Sequence, residues 1–407
     1  MKNIKWPSRP PISVESPVLV LGGKENSLSI VRHLGAMGVE VSCSGGLNNW
    51  GMFSSYCTHR HPVPARQKPG EYWSELLLGP QSPIEPGTIL LACSDEALEF
   101  IADYHEALKP HFVYDEASPQ QRHNMLDKLR TLEIARDIGV GAPRFWRVDS
   151  NAELDGILSE VNFPVMVKPL DSFSFSRTFG CKLFIVKSGF AEIIEKVHMA
   201  WDKGHPVMVV EMVPGPDSLL SSYYTYITDE GRYLFDFTKC IIRRFPVNRG
   251  GATYHKTTWM PETAEAGKKF FDGAGFLGLG NIEFKRDMRD GKLKLIEVNA
   301  RFTAAQELAV KSGMPIDVIT YCHLSGQPIP VVNSYQENLH FWYPLRDTLA
   351  SLQLWYQDEL TTKEWLTSLR LTDFVSPLHS IVDLKPSLFA GYDSFKEILS
   401  GRLGGVK

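Results

Sequence analysis

The chain has 407 residues, and its 43 basic and 47 acidic side chains give a net charge of −4. This length exceeds what one hydrophobic core usually supports, so we expect two or three packed units. The charges are spread along the chain without the basic block that a nucleic-acid-binding protein carries, so nucleic acid is excluded as an expected partner.

Neither export nor a membrane span is predicted. The N-terminal segment MKNIKWPSRPPISVESP has prolines and charges where a signal peptide has an uninterrupted apolar core. The apolar runs, such as residues 206–212, are far shorter than the ~20 residues of a membrane helix. The six cysteines form no CxxC pair and no Cys/His cluster at metal-ligand spacing. We therefore expect a reduced, cytoplasmic protein without structural zinc or a membrane partner.

The N-terminal region has the pattern of a parallel α/β unit. A β-rich apolar run at 18–21 is followed by a glycine pair, a helical pattern and a second strand at 39–42. A further strand at 89–93 leads into a helix capped by Ser94 or Asp95. The glycine pair lacks the GxGxxG spacing of a dinucleotide site, so we interpret it as a strand-to-helix turn.

The middle of the chain predicts a helix followed by a small α+β unit. Asn124 is predicted to cap an amphipathic helix over residues 125–138, and Gly139 supplies the stop signal. Residues 163–211 then alternate strand, polar loop, strand, helix and strand, with the polar loop at 170–180.

Beyond Pro214 the pattern changes to long strands rich in tyrosine, phenylalanine and isoleucine. The turn signal at residues 229–231 joins two of these strands, and a helix is predicted over residues 262–272. The residues after Pro330 predict a mostly helical closing segment with aromatic packing.

The segment GNIEFKRDMRDGKLKLIEVNARF has the pattern of two apolar strands around a turn. A connection of odd length centred on Asp290 would place Glu283 directly opposite Glu297. Asn299 shares the face of Glu297, because side chains two apart on a strand point to the same side. Opposed carboxylates repel each other and are costly to bury unless a cation lies between them. The hairpin therefore predicts a cation site.

The residue types of this hairpin favour magnesium and a nucleoside triphosphate. Two carboxylates and an amide offer only oxygen ligands, which suits Mg²⁺, and Mg²⁺ commonly shares its shell with substrate phosphates. Arg301, two residues beyond Asn299, is suited to stabilise a phosphoryl group during transfer. The alternative is a solvated strand face with ordinary salt bridges. The added Arg301 and the opposed Glu283 favour the metal site.

These motifs, in this order, resemble the ATP-grasp superfamily. The matching features are Glu283 in NIEF, the run Glu297-x-Asn299-x-Arg301, Lys168 in VMVKP, Lys128 in the DK helix, and the segment EMVPGPDS. The resemblance covers roughly residues 15 to 330, with EVNAR as its specific motif. FDFTKCIIRRFP resembles, with one more residue on each side of Lys239, the FxxKxxxxxP segment of carboxylate–amine ligases related to D-aspartate ligase, which have a similar C-terminal extension.

The resemblance implies an ATP-grasp architecture that combines α/β and α+β parts. Residues 1–120 would form an N-terminal Rossmann-like domain, and residues 121–330 the ATP-grasp domain. Within the latter, a small central α+β lid subdomain at about 160–212 would precede a larger C-terminal sheet subdomain. Residues 331–407 would form a mostly helical extension.

The resemblance also implies a set of nucleotide contacts. Lysine ammonium groups suit phosphate oxygens, and serine hydroxyls and loop amides donate to them. The implied contacts are Lys128 and Lys168 with the α and β phosphates, Ser172 and Ser174 with phosphate oxygens, Glu211, Met212 and Val213 with adenine, and Asp217 with the ribose. The alternatives are surface lysines, a turn role for Asp217, and an ordinary flexible hairpin at 170–180, whose phenylalanines depart from the glycine-rich family loop.

The stretch KCIIRRFPVNRGG concentrates positive charge in a chain that is otherwise near neutral. Its basic residues are Lys239, Arg243, Arg244 and Arg249. In the resembling ligases this region lies near the acyl substrate and the transferred phosphate, which implies that Lys239 and Arg243 bind phosphate or a substrate carboxylate. A solvated basic strand edge is the alternative. His198 and His255 are interpreted as ordinary surface or core histidines.

The function implied by the resemblance is an ATP-dependent, ADP-forming carbon–nitrogen ligase that joins a carboxylate to an amine through an acyl phosphate. ATP and one or two Mg²⁺ ions, with Mn²⁺ as an alternative metal, are the implied cofactors. The partners are small-molecule carboxylates and amines, with amino acids expected, and a homodimer is left open. Two other classes stay open, namely a bicarbonate-activating carboxylase-type enzyme and a non-catalytic nucleotide-binding module.

Overall fold

The computed structural model describes residues 12–170, 172–248, 250–369 and 374–399, with all their side chains except those of 172–173 and 393–399. The side chain of Ser172 and the whole of Arg249 therefore lie outside the described part of the chain. None of the helices in the described ranges is long and apolar enough to cross a bilayer.

The strands are β1 (Val18–Leu21), β2 (Val41–Gly45), β3 (Arg60–Pro62), β4 (Ile89–Ala92), β5 (Phe145–Val148), β6 (Val165–Pro169), β7 (Phe184–Val186), β8 (Val207–Glu211), β9 (Leu220–Ile227), β10 (Phe237–Phe245), β11 (Gly251–Thr257), β12 (Gly278–Arg286), β13 (Leu293–Asn299), β14 (His340–Trp342) and β15 (Phe374–Val375). They form three sheets.

The α-helices are α1 (Glu25–Ala36), α2 (Pro69–Leu78), α3 (Asp95–Asp103), α4 (His105–Leu108), α5 (Pro119–Leu126), α6 (Lys128–Asp137), α7 (Asn151–Leu158), α8 (Ser172–Phe179), α9 (Phe190–Trp201), α10 (Pro261–Gly273), α11 (Gln306–Lys311), α12 (Ile316–Leu324), α13 (Pro344–Tyr356), α14 (Thr362–Ser368) and α15 (Lys385–Leu399).

The N-terminal sheet is parallel, with strand order β3-β2-β1-β4. The three predicted strands are confirmed, and β3, which is short and largely exposed, was not predicted. Ser94 caps α3 by accepting a hydrogen bond from the Ala97 amide, so the predicted cap is also confirmed. Apolar side chains of β1 and β4 pack on both faces of this sheet, as expected for a sheet covered by helices.

The predicted helix start at Asn124 is wrong. Ser118 and Gln121 form a capping box that starts α5 earlier. The chain then leaves helical geometry at Asp127, whose Oδ1 accepts hydrogen bonds from the amides of Leu129 (2.8 Å) and Arg130 (3.1 Å). Asp127 is therefore the cap of α6, and Lys128 is the first residue of that helix.

The central unit is a four-stranded antiparallel sheet with order β5-β8-β6-β7. Because β5 begins at Phe145, this unit starts earlier than the predicted boundary at about 160. The predicted polar loop at 170–180 is wrong, since residues 172–179 form α8. Phe175 and Phe179 lie one helical turn apart, with ring centroids 4.6 Å from each other, and both pack on Phe184 of β7. This apolar stripe favours a helix over a loop.

The largest sheet has seven strands in the order β13-β12-β9-β10-β11-β14-β15. One face packs with α10 in a core that includes Tyr223 and Phe284, and the other face packs with the N-terminal domain through Tyr224 and Phe237. The predicted helix near 262–272 is confirmed as α10. The closing segment is mostly helical as predicted, but β14 and β15 also extend the sheet.

A buried ion pair attaches α13 to this sheet. Arg243 of β10 donates from Nε and Nη2 to the two carboxylate oxygens of Asp347, at 2.8 and 2.9 Å, and from Nη1 to Ser368 Oγ at 2.8 Å. The side chains of Arg243 and Asp347 are 5% and 0% exposed. The structure thus engages Arg243 with the C-terminal extension and gives no support to its predicted role in binding phosphate or substrate.

We predict that Arg243→Ala lowers the free energy of unfolding by about 3–5 kcal/mol, because it leaves the buried Asp347 carboxylate without its partner. The control is Arg147→Ala, whose ion pair with Asp149 is half exposed, and which should cost no more than about 1 kcal/mol. Urea unfolding followed by tryptophan fluorescence measures both. Equal, small effects of the two substitutions would contradict a structural role for Arg243.

Candidate functional site

The β12–β13 hairpin brings two carboxylates face to face. Glu283 pairs directly with Glu297, as predicted, and Asn281 pairs with Asn299. The pairing arises differently from the prediction. Nearer the turn, Phe284 pairs with Leu295, which is one residue out of the register that was predicted, and a bulge at Ile296 restores the predicted register at Glu283 and Glu297. A bulge inserts one residue into one strand and re-aims the side chains beyond it.

A row of polar side chains crosses the sheet from this pair. We call it the polar row, and it consists of Glu297, Glu283, Ser222 and Lys239, which pair in that order on β13, β12, β9 and β10. Directly paired residues share one face of a sheet. Exposure falls along the row, from the exposed Glu297 through Glu283 with a 22% exposed side chain to the buried Ser222 and Lys239. The polar row is thus open to solvent at Glu297 and buried at Lys239.

Lys239 partly compensates the charge of the two carboxylates. Its Nζ lies 3.8 Å from Glu283 Oε1, which is too long for a hydrogen bond but close enough for electrostatic attraction. Burial lowers the pKa of Lys239, and Glu283 opposes that shift. Lys239 can compensate only one of the two carboxylate charges from this side.

The hairpin therefore carries oxygen atoms of the kind that bind a hard cation. Glu283, Glu297 and Asn299 offer oxygen atoms, and the buried Oδ1 of Asn281, opposite Asn299, has no hydrogen-bond partner within the described residues. Asn281 was missed from the sequence; its position two residues before Glu283 was the available signal. This donor set fits Mg²⁺.

Two predicted phosphate-binding lysines line one small cavity with this hairpin. Lys128 from the start of α6, Lys168 from β6, and Glu297 with Asn299 from β13 all contribute to its wall. Burial and, after it, the charge of Lys128 lower the pKa of Lys168 to about 8, while Glu297 opposes the shift. The lysines are close enough to repel each other, as expected of a site that binds an anion between them.

Arg301 lies at the end of the hairpin, against the N-terminal domain. Its Nε donates to Asp95 Oδ1 at 2.6 Å, and its side chain is 19% exposed. Burial lowers the pKa of Arg301, but the charge and hydrogen bond of Asp95, together with the charge of Glu297, raise it on balance. The sequence pattern predicts only a helix-capping role for Asp95. Its place after β4, at the carboxyl end of a parallel strand, was the signal for a site role.

The predicted adenine hinge joins the two neighbouring sheets. Glu211 is buried, and its Oε1 accepts hydrogen bonds from the backbone and side-chain amides of Asn162, both at 3.0 Å. Met212 donates its backbone amide to Pro164 O at 2.9 Å, and Val213 is buried. The Glu211 carboxylate is therefore engaged in holding the hinge, and the adenine contacts of these three residues stay a prediction.

Asp217 accepts hydrogen bonds from Arg244 Nε at 2.8 Å and from the Asn248 amide at 3.0 Å. The charge of Arg244 also contributes to lowering the pKa of Lys168, after burial and Lys128. A contact of Asp217 with ribose stays a prediction.

The other predicted side chains differ in their surroundings. Ser174 lies on α8, and its phosphate contact stays a prediction, as does that of Ser172. His198 is a surface histidine as interpreted, with Nε2 2.7 Å from Asn151 Oδ1. His255 is fully buried on β11.

No protein-family model matches the chain. Over 223 residues, 52% of the chain, it is 23% identical to D-aspartate ligase of Enterococcus faecium. Over 188 residues, 43% of the chain, it is 24% identical to D-alanine–D-alanine ligase of Pseudomonas fluorescens. Each match covers 53% of the relative, so the chain spans about half the length of the curated relatives it matches.

Solved structures superpose on most of the chain. L-amino acid ligase from Bacillus licheniformis gives a TM-score of 0.57 at 15% identity, covering 77% of this chain and 75% of that one. The biotin carboxylase domain of Hydrogenobacter thermophilus 2-oxoglutarate carboxylase, solved with MgADP and bicarbonate, gives 0.62 at 14% identity, covering 79% and 73%. N5-carboxyaminoimidazole synthetase from Staphylococcus aureus gives 0.59 at 12% identity, covering 81% and 82%.

These likenesses establish the ATP-grasp fold for this chain, which the sequence predicted. The curated relatives and the solved structures all point to the ATP-grasp superfamily.

The lowered pKa of Lys168 predicts weaker ATP binding in alkaline solution. As the pH rises through about 8, the unliganded protein loses the ammonium charge that attracts phosphate, so the affinity for ATP should fall above that pH. Lys168→Arg keeps its charge far beyond this range and should move the decline upward by about one pH unit or more. Calorimetric titration of ATP between pH 6.5 and 9.5 measures both, with the exposed Lys203→Arg of the same unit as control. Identical profiles for wild type and Lys168→Arg would contradict the assignment.

Proposed function

We propose that this protein is an ATP-dependent, ADP-forming carboxylate–amine ligase that acts through an acyl phosphate. The observation that carries the proposal is that Glu297, which pairs directly with Glu283, lines one cavity together with Lys128 and Lys168. Negative oxygen donors and ammonium groups in one cavity are what a metal–triphosphate complex requires.

The chain's residues divide into an anion-binding set and a cation-binding set. Lys128 and Lys168 would hold the phosphates, and Glu283, Glu297 and Asn299 would hold Mg²⁺. Mg²⁺, when bound, supplies charge neutralisation on the phosphate oxygens. The presence of both signs in one cavity supports ATP binding with the terminal phosphate directed toward the hairpin.

Arg301 would stabilise the phosphoryl group in transfer. Asp95 holds its guanidinium by one hydrogen bond from Nε, so the side chain is oriented before the reaction begins. Preorganised donors act strongly because they need no reorganisation as charge develops. Asp95 is in this account a positioning residue.

The reaction would proceed in two displacements at one carboxyl group. The substrate carboxylate oxygen attacks the terminal phosphorus of ATP, which gives an acyl phosphate and ADP. The amine then attacks the acyl carbon, phosphate leaves with the bonding electrons, and the amine nitrogen loses a proton to solvent. The central β5-β8-β6-β7 unit, which carries Lys168, would cover the site and keep water from the acyl phosphate.

The relatives support this reaction class. D-aspartate ligase, D-alanine–D-alanine ligase and L-amino acid ligase are named for amino-acid ligation. The structure of the biotin carboxylase domain contains MgADP and bicarbonate, so bicarbonate is the alternative carboxyl-type substrate to exclude by experiment.

The direct test is a product assay. Purified protein with ATP, Mg²⁺ and a panel of amino acids and small carboxylates should release ADP and phosphate with a matching pair, together with an amide product identified by mass. Release of AMP and pyrophosphate would overturn the mechanism. Turnover that requires bicarbonate instead of an amine would assign the protein to the carboxylase type, and ATP binding without turnover would indicate a binding module.

We predict that Glu297→Gln lowers the rate of ADP formation by about a thousandfold, since losing metal-bound charge costs several kcal/mol of transition-state stabilisation. Glu230→Gln, in the exposed turn between β9 and β10, is the matched control and should keep the wild-type rate. A coupled assay for ADP measures both. A Glu297→Gln protein with more than about a tenth of the wild-type rate would contradict the metal role.

A further inference from the structure

A second cavity, of about 340 Å³, lies between α1, α11, α12 and the segment 379–382. We call it the α1–α12 cavity, and its lining shares no residue with the nucleotide and metal site proposed above. Its floor is apolar and is formed by Ala36, Met37, Val310, Pro315 and Val318. Small-molecule sites are concave, mostly apolar and about 300–1,000 Å³ in volume. The α1–α12 cavity therefore has the size and the lining of a small-molecule site.

Two buried ion pairs hold the walls of the α1–α12 cavity together. Arg32 of α1 donates from Nε to Asp383 Oδ2 at 2.9 Å and from Nη2 to Asp383 O at 2.8 Å. These bonds fix the segment that closes one side of the cavity. His33 Nδ1 lies 2.8 Å from Asp317 Oδ2, which joins α1 to α12, and the Asp317 side chain is fully buried. Because both pairs are internal to the protein, the cavity is formed before a ligand binds, as most small-molecule sites are.

Four side chains on the wall of this cavity can donate hydrogen bonds and have no acceptor within the described part of the chain. They are the Tyr56 hydroxyl, the Ser380 hydroxyl, the His379 imidazole and the Lys311 ammonium. Lys311 Nζ lies 3.7 Å from Glu307 Oε1, which is too long for a hydrogen bond. Glu307 also lines the cavity, and its Oε2 accepts a hydrogen bond from Ser29 Oγ at 2.7 Å. The wall thus offers several donors and one carboxylate that is already engaged.

This set of donors favours a singly charged anion. Hydrogen bonds to an ionised acceptor are stronger than those to a neutral one, so a carboxylate gains more from these donors than an amide does. Lys311 is half exposed, and its surface ion pair with Glu307 is weak, so the ammonium can turn toward a ligand at little cost. Glu307 repels a second negative charge, which disfavours a phosphate ester with two charges.

We propose that the α1–α12 cavity binds a small monocarboxylate with an apolar body, either an aryl or a branched alkyl group. Lys311 and His379 contact the carboxylate, and the apolar body lies on Met37 and Val318. The site is separate from the nucleotide site, and it does not depend on the ligase function proposed above.

Matched probes test this proposal without turnover. In calorimetric titrations of the full chain, phenylacetate should bind with a Kd of about 1 mM or below. It should bind at least about tenfold more tightly than phenylacetamide, which lacks the charge, and than acetate, which lacks the ring. Mg·ADP should change the affinity for phenylacetate by less than about threefold. Equal affinities for phenylacetate and phenylacetamide, no binding up to about 10 mM, or competition with Mg·ADP would each overturn the proposal.

Variants place the bound probe in this cavity. Lys311→Met removes the ammonium and Ala36→Phe fills the apolar floor, and each should weaken phenylacetate binding by about tenfold or more. Lys203→Met, at an exposed lysine of the central unit, is the control and should bind phenylacetate like the wild type. Circular dichroism checks that each variant is folded, and the exposed position of Lys311 keeps the test usable if Ala36→Phe is unstable. Unchanged phenylacetate affinity in folded Lys311→Met would show that the probe binds elsewhere and would overturn the proposal.

Discussion

Two carboxylates that are direct neighbours on a sheet need positive charge beside them, because their repulsion grows as water is removed. Glu283 and Glu297 are held in this relation by the backbone pairing of β12 and β13 and by the bulge at Ile296. Lys239 compensates part of the charge from one side. Glu297 also lines the cavity that contains Lys128 and Lys168, which is the position proposed for a metal–nucleotide complex.

The parts of this site that could be predicted from sequence are those fixed by local periodicity. Glu297, Asn299 and the strand that carries them follow from alternation, and the parallel N-terminal sheet follows from alternating strand and helix patterns. The Glu283–Glu297 pairing was predicted correctly through a wrong turn length, since the sequence does not mark the bulge. Pairing register in long hairpins depends on such irregularities.

What sequence reasoning missed depends on contacts between distant segments. Asp95 and Arg301 are more than 200 positions apart, and only their distance of 2.6 Å makes them partners. Lys239 and Arg243 are basic residues of the same strand, and sequence alone gives them the same predicted role. The pairing of β10 with β11 shifts register after Ile241, and Arg243 forms an ion pair with Asp347. The 170–180 segment was predicted as a polar loop, although it has as many phenylalanines as serines. The burial of Phe175, which packs on Phe179 and Phe184, stabilises helix α8 instead.

We propose that a divalent cation joins the opposed carboxylates to a nucleotide. The most direct measurement is the affinity for ADP, by calorimetry, with Mg²⁺ and with a chelator, in the wild type and in Glu283→Gln. We predict that Mg²⁺ tightens ADP binding by about tenfold or more in the wild type and that this gain is lost in the variant. An ADP affinity that is the same with and without Mg²⁺ in the wild type would contradict it.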